Sequence, residues 1–491
     1  MDDLEQSMHL PLSKRGNDDT DPRIAEETAL TRRKPRLIAT KNELGTVLEG
    51  NLRARGLTPG SVISSRASSM REGPLSRPLI ATSLDKKMDF LLRSFSTTHL
   101  ARIYWNQAQA ADYGNHVIRL ALRKPVLLNA LMTKSLTDFQ TAGGALPAGS
   151  VPRDRDKEEK SLMIDFNFFL LQTVTGLRTA LDSVSAEQPE SSIVVTILLL
   201  LKTELLVGTM TSVRMHLHGI RNLLGTGTLL DNFSPCARSP PFLTVNLACL
   251  VTQEPPFLVP ASYPSTAMSE EVTKALNNCP NALLSGLARG FDVPAMRKLL
   301  GPQVLFYIQW QRIFLMMREM TMSGHLEKVT VEDYGISSSM VHRADYHLMT
   351  LPYLTQLNPL RNLVRLVLLV SDISTFIGLR PRTMFVCCLA LQLKEALLAM
   401  DLASVANLEE DVVRLMIWVC FYGVELSLGR GEQLWFLSYL RQSQEVLNLH
   451  DRAEILELLV SFMYTERQFI KISAIVWEAV AETNEDVVSS I

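Results

Sequence analysis

The side chains able to do chemistry are few and scattered. Six cysteines occur, at Cys236, Cys249, Cys279, Cys387, Cys388 and Cys420. A zinc site needs thiolates and imidazoles at short spacing so that four ligands can meet around one ion, and no cysteine precedes Cys236. Cys387 and Cys388 are adjacent on an expected helix, where their side chains diverge by roughly 100° and cannot readily share an ion, so core filling explains them more simply. His216 and His218 would point the same way on a strand. On the helix that the surrounding residues suggest, His216 faces inward with Leu217 and Ile220 and His218 faces outward, which favours packing over ligation.

Other signatures are equally spare. Gly225-Thr226-Gly227 has the look of a phosphate loop, but it ends a helix with no strand before it and reads as a helix stop. No Gly-x-Ser-x-Gly elbow and no lysine-bearing phosphate loop is present. Asp18-Asp19-Thr20-Asp21 has the form of a magnesium-binding acidic motif, yet it lies in a polar stretch far from any apolar helix. Glu409-Glu410-Asp411 and Glu485-Asp486 read as solvated helix-terminal charges. Met316, Met317, Met320 and Met322 give one helix a soft stripe that suits core packing. Arg32-Arg33-Lys34-Pro35-Arg36 alone concentrates positive charge, enough for an import receptor or a phosphate backbone, or simply for a solvated linker. No catalytic residue, cofactor site or metal site is expected.

The elements that would position these groups follow from composition and periodicity. Of 491 residues, 47% are hydrophobic and 20% charged, with 24 Gly and 23 Pro, which excludes collagen-like and globally disordered classes and supplies a large core. Because 49 basic residues oppose 51 acidic ones, for a net charge of -2, attraction to nucleic acid or membrane must be local. The cysteine pattern suits a reducing compartment without disulfides. The first residues suggest neither a secretory leader nor a transit peptide. The apolar runs Ile193 to Leu201 and Leu415 to Gly423 are shorter than the roughly 20 residues of a membrane span, so no membrane partner is expected.

Residues 1–83 read as a disordered arm, acidic to about Leu30 and basic from Thr31. From Leu84 onward the fold class is all-α, a multi-helix body. Helices are expected at Asn115 to Leu136 (interrupted by Pro125), Glu159 to Asp182, Ser191 to Val207, Met210 to Leu224, Pro302 to Met322, Asn358 to Phe376, Pro381 to Met400, Leu408 to Leu428, Glu432 to Leu447 and Arg452 to Ala481. Between them, 227–281 is rich in Pro, Ser and Asn and reads as a surface connector, with one short helix near Glu270 to Leu276.

Three passages resemble a known family. The apolar helix Ile193 to Val207 is followed by Val213 to Leu224, with His216-Leu217-His218-Gly219 and a Leu223-Leu224 ending. Leu415 to Gly423, carrying Trp418, is followed by Arg430 to Phe436, carrying Trp435. The ending Phe469 to Val480 surrounds Trp477. In this order the chain from about Leu84 to Ile491 resembles the fungal-specific transcription factor regulatory domain, the helical region that accompanies a six-cysteine binuclear zinc cluster. These are packing signatures: Gly219 and Gly423 let helices approach and the tryptophans fill volume.

The resemblance implies a nuclear transcriptional regulator or coregulator, with itself as a dimer or another transcription factor as partner, and a secondary-metabolite gene set as its target. The six-cysteine cluster is missing, so direct sequence-specific DNA binding is not expected. Three alternatives stay open: action through a DNA-binding partner, nonspecific binding through Arg32, Arg33, Lys34 and Arg36, or descent from a truncated regulator or incomplete gene model. Rival functions are an all-helical enzyme such as a terpene cyclase, which would need two acidic metal motifs facing one cavity, and a scaffold without a regulatory role.

Overall fold

The computed structural model describes residues 88–96, 100, 107–141, 155–183, 190–224, 235–260, 268–279, 281–326, 329–377, 383–400, 409–449, 451–470, 472–474 and 476. Arg32, Arg33, Lys34, Arg36, Asp18 to Asp21, Gly225 to Gly227, Trp477, Glu485 and Asp486 lie outside them. The described residues are all-α, with no strand among them.

A helical segment at 88–94 precedes α1 (Gln107–Arg123) and α2 (Pro125–Thr141). Pro125 separates them, because it has no N–H to continue α1 yet suits the first position of α2. Next come α3 (Arg155–Ser183), α4 (Ser191–Val207) and α5 (Met210–Leu224). Helix α4 is buried from Ser192 to Leu201 without a break, as an all-round apolar sequence demands, and packs against α2 and α5. Lys124 at the α1/α2 corner reaches Glu190, the N-cap of α4, at 2.7 Å.

Helix α6 (Pro235–Thr252) corrects the expectation of a surface connector across 227–281. Pro240 and Pro241 lie inside it, and the residues from Phe242 to Val251 are buried against α4, α5 and a later helix. Burial of Phe242, Leu243, Val245, Leu247, Leu250 and Val251 outweighs the helix-breaking cost of the prolines, at roughly 1.5–3 kcal/mol per large side chain. The short helix expected near Glu270 is α7 (Glu270–Asn277), and one further turn, α8 (Ala282–Ser285), precedes a 3-10 turn at Arg289–Asp292.

The remainder comprises α9 (Pro294–Met322), α10 (Val331–Leu354), α11 (Pro359–Ile377), α12 (Met384–Leu398), α13 (Glu410–Leu426), α14 (Gly431–Leu447) and α15 (Arg452–Ser461). Helix α9 is kinked at Gly301, whose φ of 75° lies in the left-handed region, just before Pro302. Arg361 of α11 fills the kink, its Nε donating to the Leu299 carbonyl at 2.5 Å. Helix α10 was not foreseen. Its start is fixed by a capping box in which Thr330 and Asp333 bond each other's backbone N–H. The single closing helix expected from Arg452 to Ala481 is also corrected: α15 ends at Ser461, Met463 turns the chain at φ 69°, and a short helical segment restarts at 466. Thr465 and Gln468 cap that restart reciprocally, the Thr465 N–H donating to Gln468 Oε1 at 2.9 Å and the Gln468 N–H to Thr465 Oγ1 at 3.3 Å.

The C-terminal core centres on Trp418, fully buried in α13, with Phe291 and Tyr422 edge-on to its ring at 5.5 and 5.8 Å. Gly423 lets α14 approach: a Cβ there would stand 2.2 Å from the Phe436 ring.

Candidate functional site

The side chains singled out by sequence do not converge. His216 is buried in α5 and burial lowers its pKa to about 4, which keeps it neutral at pH 7, while His218 points to solvent 4.0 Å from Glu254. Cys387 and Cys388 are half-buried on α12, and Cys388 Sγ contacts Met384 Sδ at 3.6 Å. Met316, Met317 and Met320 are buried in α9, whereas Met322 is exposed. Glu409 stands exposed at the N-cap position of α13 without a side-chain capping bond, and Glu410 pairs with Arg414 at 2.6 Å. Among the described residues no group of three or more His, Cys, Asp or Glu is placed to hold a metal ion.

What the fold does bring together is a buried polar network that sequence inspection missed. Asp345 of α10 and Asp372 of α11 hydrogen-bond each other, and Gln311 Nε2 of α9 donates to Asp372 Oδ2. All three are at least nine-tenths buried. Burial raises Asp345 to about 7; burial and then the neighbouring Asp345 charge hold Asp372 well above the carboxylate range. Two touching carboxyl groups in an apolar setting cannot both ionise, so the pair retains a proton at neutral pH.

One residue before Asp372, Ser371 begins a second strand of contacts. Tyr422 of α13 donates to Ser371 Oγ at 2.8 Å, and Gln468 Nε2 reaches both the Tyr422 hydroxyl and Ser374 Oγ at 3.4 Å. Ser374 donates to Glu425 Oε1 at 3.3 Å and Tyr464 to Glu425 Oε2 at 3.4 Å. Helices α11 and α13 and the segment after α15 are thus tied by side chains of which Ser371, Tyr422 and Gln468 are buried and Ser374 and Glu425 half-buried. A comparable staple joins α7 to α10: Asp333 accepts from the Ser269 N–H at 2.6 Å, the Ser269 hydroxyl at 3.0 Å and the Thr330 hydroxyl at 2.6 Å. Burial alone would raise the Asp333 pKa, but the Thr330 and Ser269 bonds outweigh it and hold the carboxyl below its usual value.

Beside this network lies a groove of about 490 Å³, walled by the α8 turn, the end of α9 and the segment 460–470. Its base is apolar, with Leu284, Leu287 and Val460 buried. One wall carries charge. Arg318 donates to Glu319 Oε1 at 2.9 Å, and Arg467 stands 3.5 Å from Glu319 Oε2. Glu466 and Ile470 are exposed at the edge.

Residues 88–251 match the family described as fungal specific transcription factor domain. The matched domain runs from the first described helical segment through α6, ending at Val251, and contains the first passage of the resemblance, the pair α4 and α5, with Gly219 buried in α5. The network and the groove lie beyond it. No curated protein and no solved structure matches the chain. The domain supports a role in transcription regulation. None of the described helices is long and apolar enough to cross a membrane.

The signals that could have revealed the network are slight. Thr330-x-x-Asp333 and Thr465-x-x-Gln468 are cap patterns legible in the sequence. Asp345 and Asp372 carry no local signature, since their environment comes from three helices at once.

Proposed function

We propose that the protein is a nuclear transcriptional regulator or coregulator that works through protein contacts of its helical body, residues 84–491, rather than through a zinc cluster of its own. The match of residues 88–251 to the fungal specific transcription factor domain carries this reading. Its charge pattern is consistent with it: the only dense basic run, Arg32 to Arg36, suits import or phosphate contact, and sequence-specific contact with DNA falls to a second transcription factor or a dimer partner. On this reading the protein is not an enzyme, and its targets form a gene set such as a secondary-metabolite cluster.

The test is deletion of the gene, with transcript profiling beside imaging of the tagged full chain. Nuclear accumulation and a coherent set of altered transcripts, including neighbouring biosynthetic genes, is the expected result. Cytosolic retention with an unchanged transcriptome would remove the proposal.

A further inference from the structure

The surface around the 3-10 turn at Arg289–Asp292 gathers more positive charge than it neutralises. Arg289 in the turn and Arg297 in the first turn of α9 are exposed, and Arg312, further along α9, is half-buried. Asp292 is the carboxylate set among them, and Arg297 engages it at 3.2 Å. Arg312 lies within reach of both other charges: burial lowers its pKa, Asp292 acts against that, and Arg289 adds to it. Its bond to the protein is a long one, 3.4 Å to the Ser285 carbonyl, and its buried Nε meets no acceptor. Arg289 has no ion-pair partner among the described residues, and Glu454 and Glu457 of α15, the helix packed on this turn, pair with none of the three arginines. Three guanidinium groups around one carboxylate repel one another and attract an anion.

The chain carries a matching counter-charge. Residues 1–30 hold eight acidic residues against Lys14, Arg15 and Arg23, and Asp18-Asp19-Thr20-Asp21 sets three carboxylates within four residues. We propose that this acidic run docks on the patch of Arg289, Arg297 and Arg312 of the same chain. Residues 31–87 separate the run from the first described helical segment, and at roughly 3.3 Å per residue they are long enough to reach any face of the body. Arginine forks suit carboxylates in pairs. Exposed ion pairs are weak one by one, so a free acidic peptide would leave, whereas a tethered run is held at high effective concentration beside the patch. Docking also withholds the patch from nucleic-acid phosphates.

The experiment is photocrosslinking within the dilute full chain carrying Thr20→p-benzoylphenylalanine, with the products mapped by mass spectrometry. Crosslinks fall on residues 282–298 and around Arg312, and their yield drops about threefold or more when salt is raised to about 0.5 M. The yield drops as far when Arg289→Gln and Arg297→Gln, both at exposed positions, are combined. Crosslinks elsewhere on the body, crosslinks between two copies, or a yield indifferent to salt and to the substitutions overturn the proposal. So does a short DNA duplex that binds through Arg289 and Arg297 equally well whether or not Asp18, Asp19 and Asp21 are changed to Asn, which would assign the patch to nucleic acid. Should the arginine variant melt at a lower temperature, the arm variant with Asp18→Asn, Asp19→Asn and Asp21→Asn decides alone: loss of the crosslinks supports docking, and an unchanged yield refutes it.

Discussion

In α2, α3 and α4 the buried hydroxyls are satisfied inside their own helices: Ser135 bonds the Leu131 carbonyl, Thr137 that of Thr133, Thr173 that of Phe169 and Thr203 that of Leu199, each four residues back. The fully buried Lys134 likewise meets Asp138 one turn along at 2.5 Å. From α7 onward some buried hydroxyls are still satisfied locally, Thr375 by Ser371 and Ser427 by Gly423, but other polar groups have partners distant in sequence. Asp333 bonds Ser269, Gln311 bonds Asp372, Tyr422 bonds Ser371 and Gln468 bonds Ser374. The first region holds its polar groups by local geometry and assembles through apolar faces. The second adds buried polar contacts that exist only once several helices have docked.

The contrast is sharpest for one substitution made in each region. Asp138→Asn leaves the Lys134 ammonium buried without its carboxylate and should cost about 3–5 kcal/mol in urea unfolding of the full chain. A cost near zero would mean that the ion pair does not hold the first region. Gly423→Ala forces a Cβ into the Phe436 ring and should cost about 3 kcal/mol, whereas Gly176→Ala meets a single methyl of half-buried Val126 at 2.6 Å and should cost about 1–2 kcal/mol. Equal melting temperatures for the two variants would contradict the packing described.

Asp333→Ala removes the acceptor shared by Ser269 and Thr330 and should cost about 2 kcal/mol at pH 7. Because the folded pKa of Asp333 is depressed, its contribution is full above the unfolded value and fades as pH falls through the folded one. The mutational cost should therefore shrink in acid.

Asp372→Asn should act in the opposite direction from Asp138→Asn. The Asp345–Asp372 pair is raised in the folded state, so the unfolded chain gives up its protons first and stability falls as pH climbs from the ordinary carboxylate range through about 7. Replacing one carboxyl by an amide should change little at pH 5 and stabilise by about 1 kcal/mol at pH 8. Thermal melts at the two pH values check this, and a variant less stable at pH 8 than the parent would show that the pair is not proton-sharing.

Legibility in the sequence follows the same division. Helices α4 and α5 are legible at Ser191 to Val207 and Met210 to Leu224, where the structure has them, because an unbroken apolar run and the periodic His216, Leu217 and Ile220 face carry their own signal. Helix α10 carries little signal: Gly335, Ser337, Ser338, Ser339 and Pro352 dilute its propensity, and its buried positions include the polar Ser337, His342 and Asp345, which add nothing to an apolar period. The prolines of α6 misled for the related reason that tertiary burial overrode local preference. The groove was hidden because Arg467 and Ile470 fell within one expected helix, and only the turn at Met463 brings them beside Leu283 and Glu319. For Arg32, Arg33, Lys34 and Arg36 the sequence supplies charge density, which bears on partners and not on fold.

The central claim is that this helical body acts on transcription by contact with other macromolecules. Chromatin occupancy of the tagged full chain tests it most directly, beside a variant with Arg32, Arg33, Lys34 and Arg36 changed to Ala and imported through an appended nuclear signal. Discrete peaks that persist in that variant are predicted, because helical contacts recruit the protein; wild-type occupancy no higher than in an untagged control would contradict it.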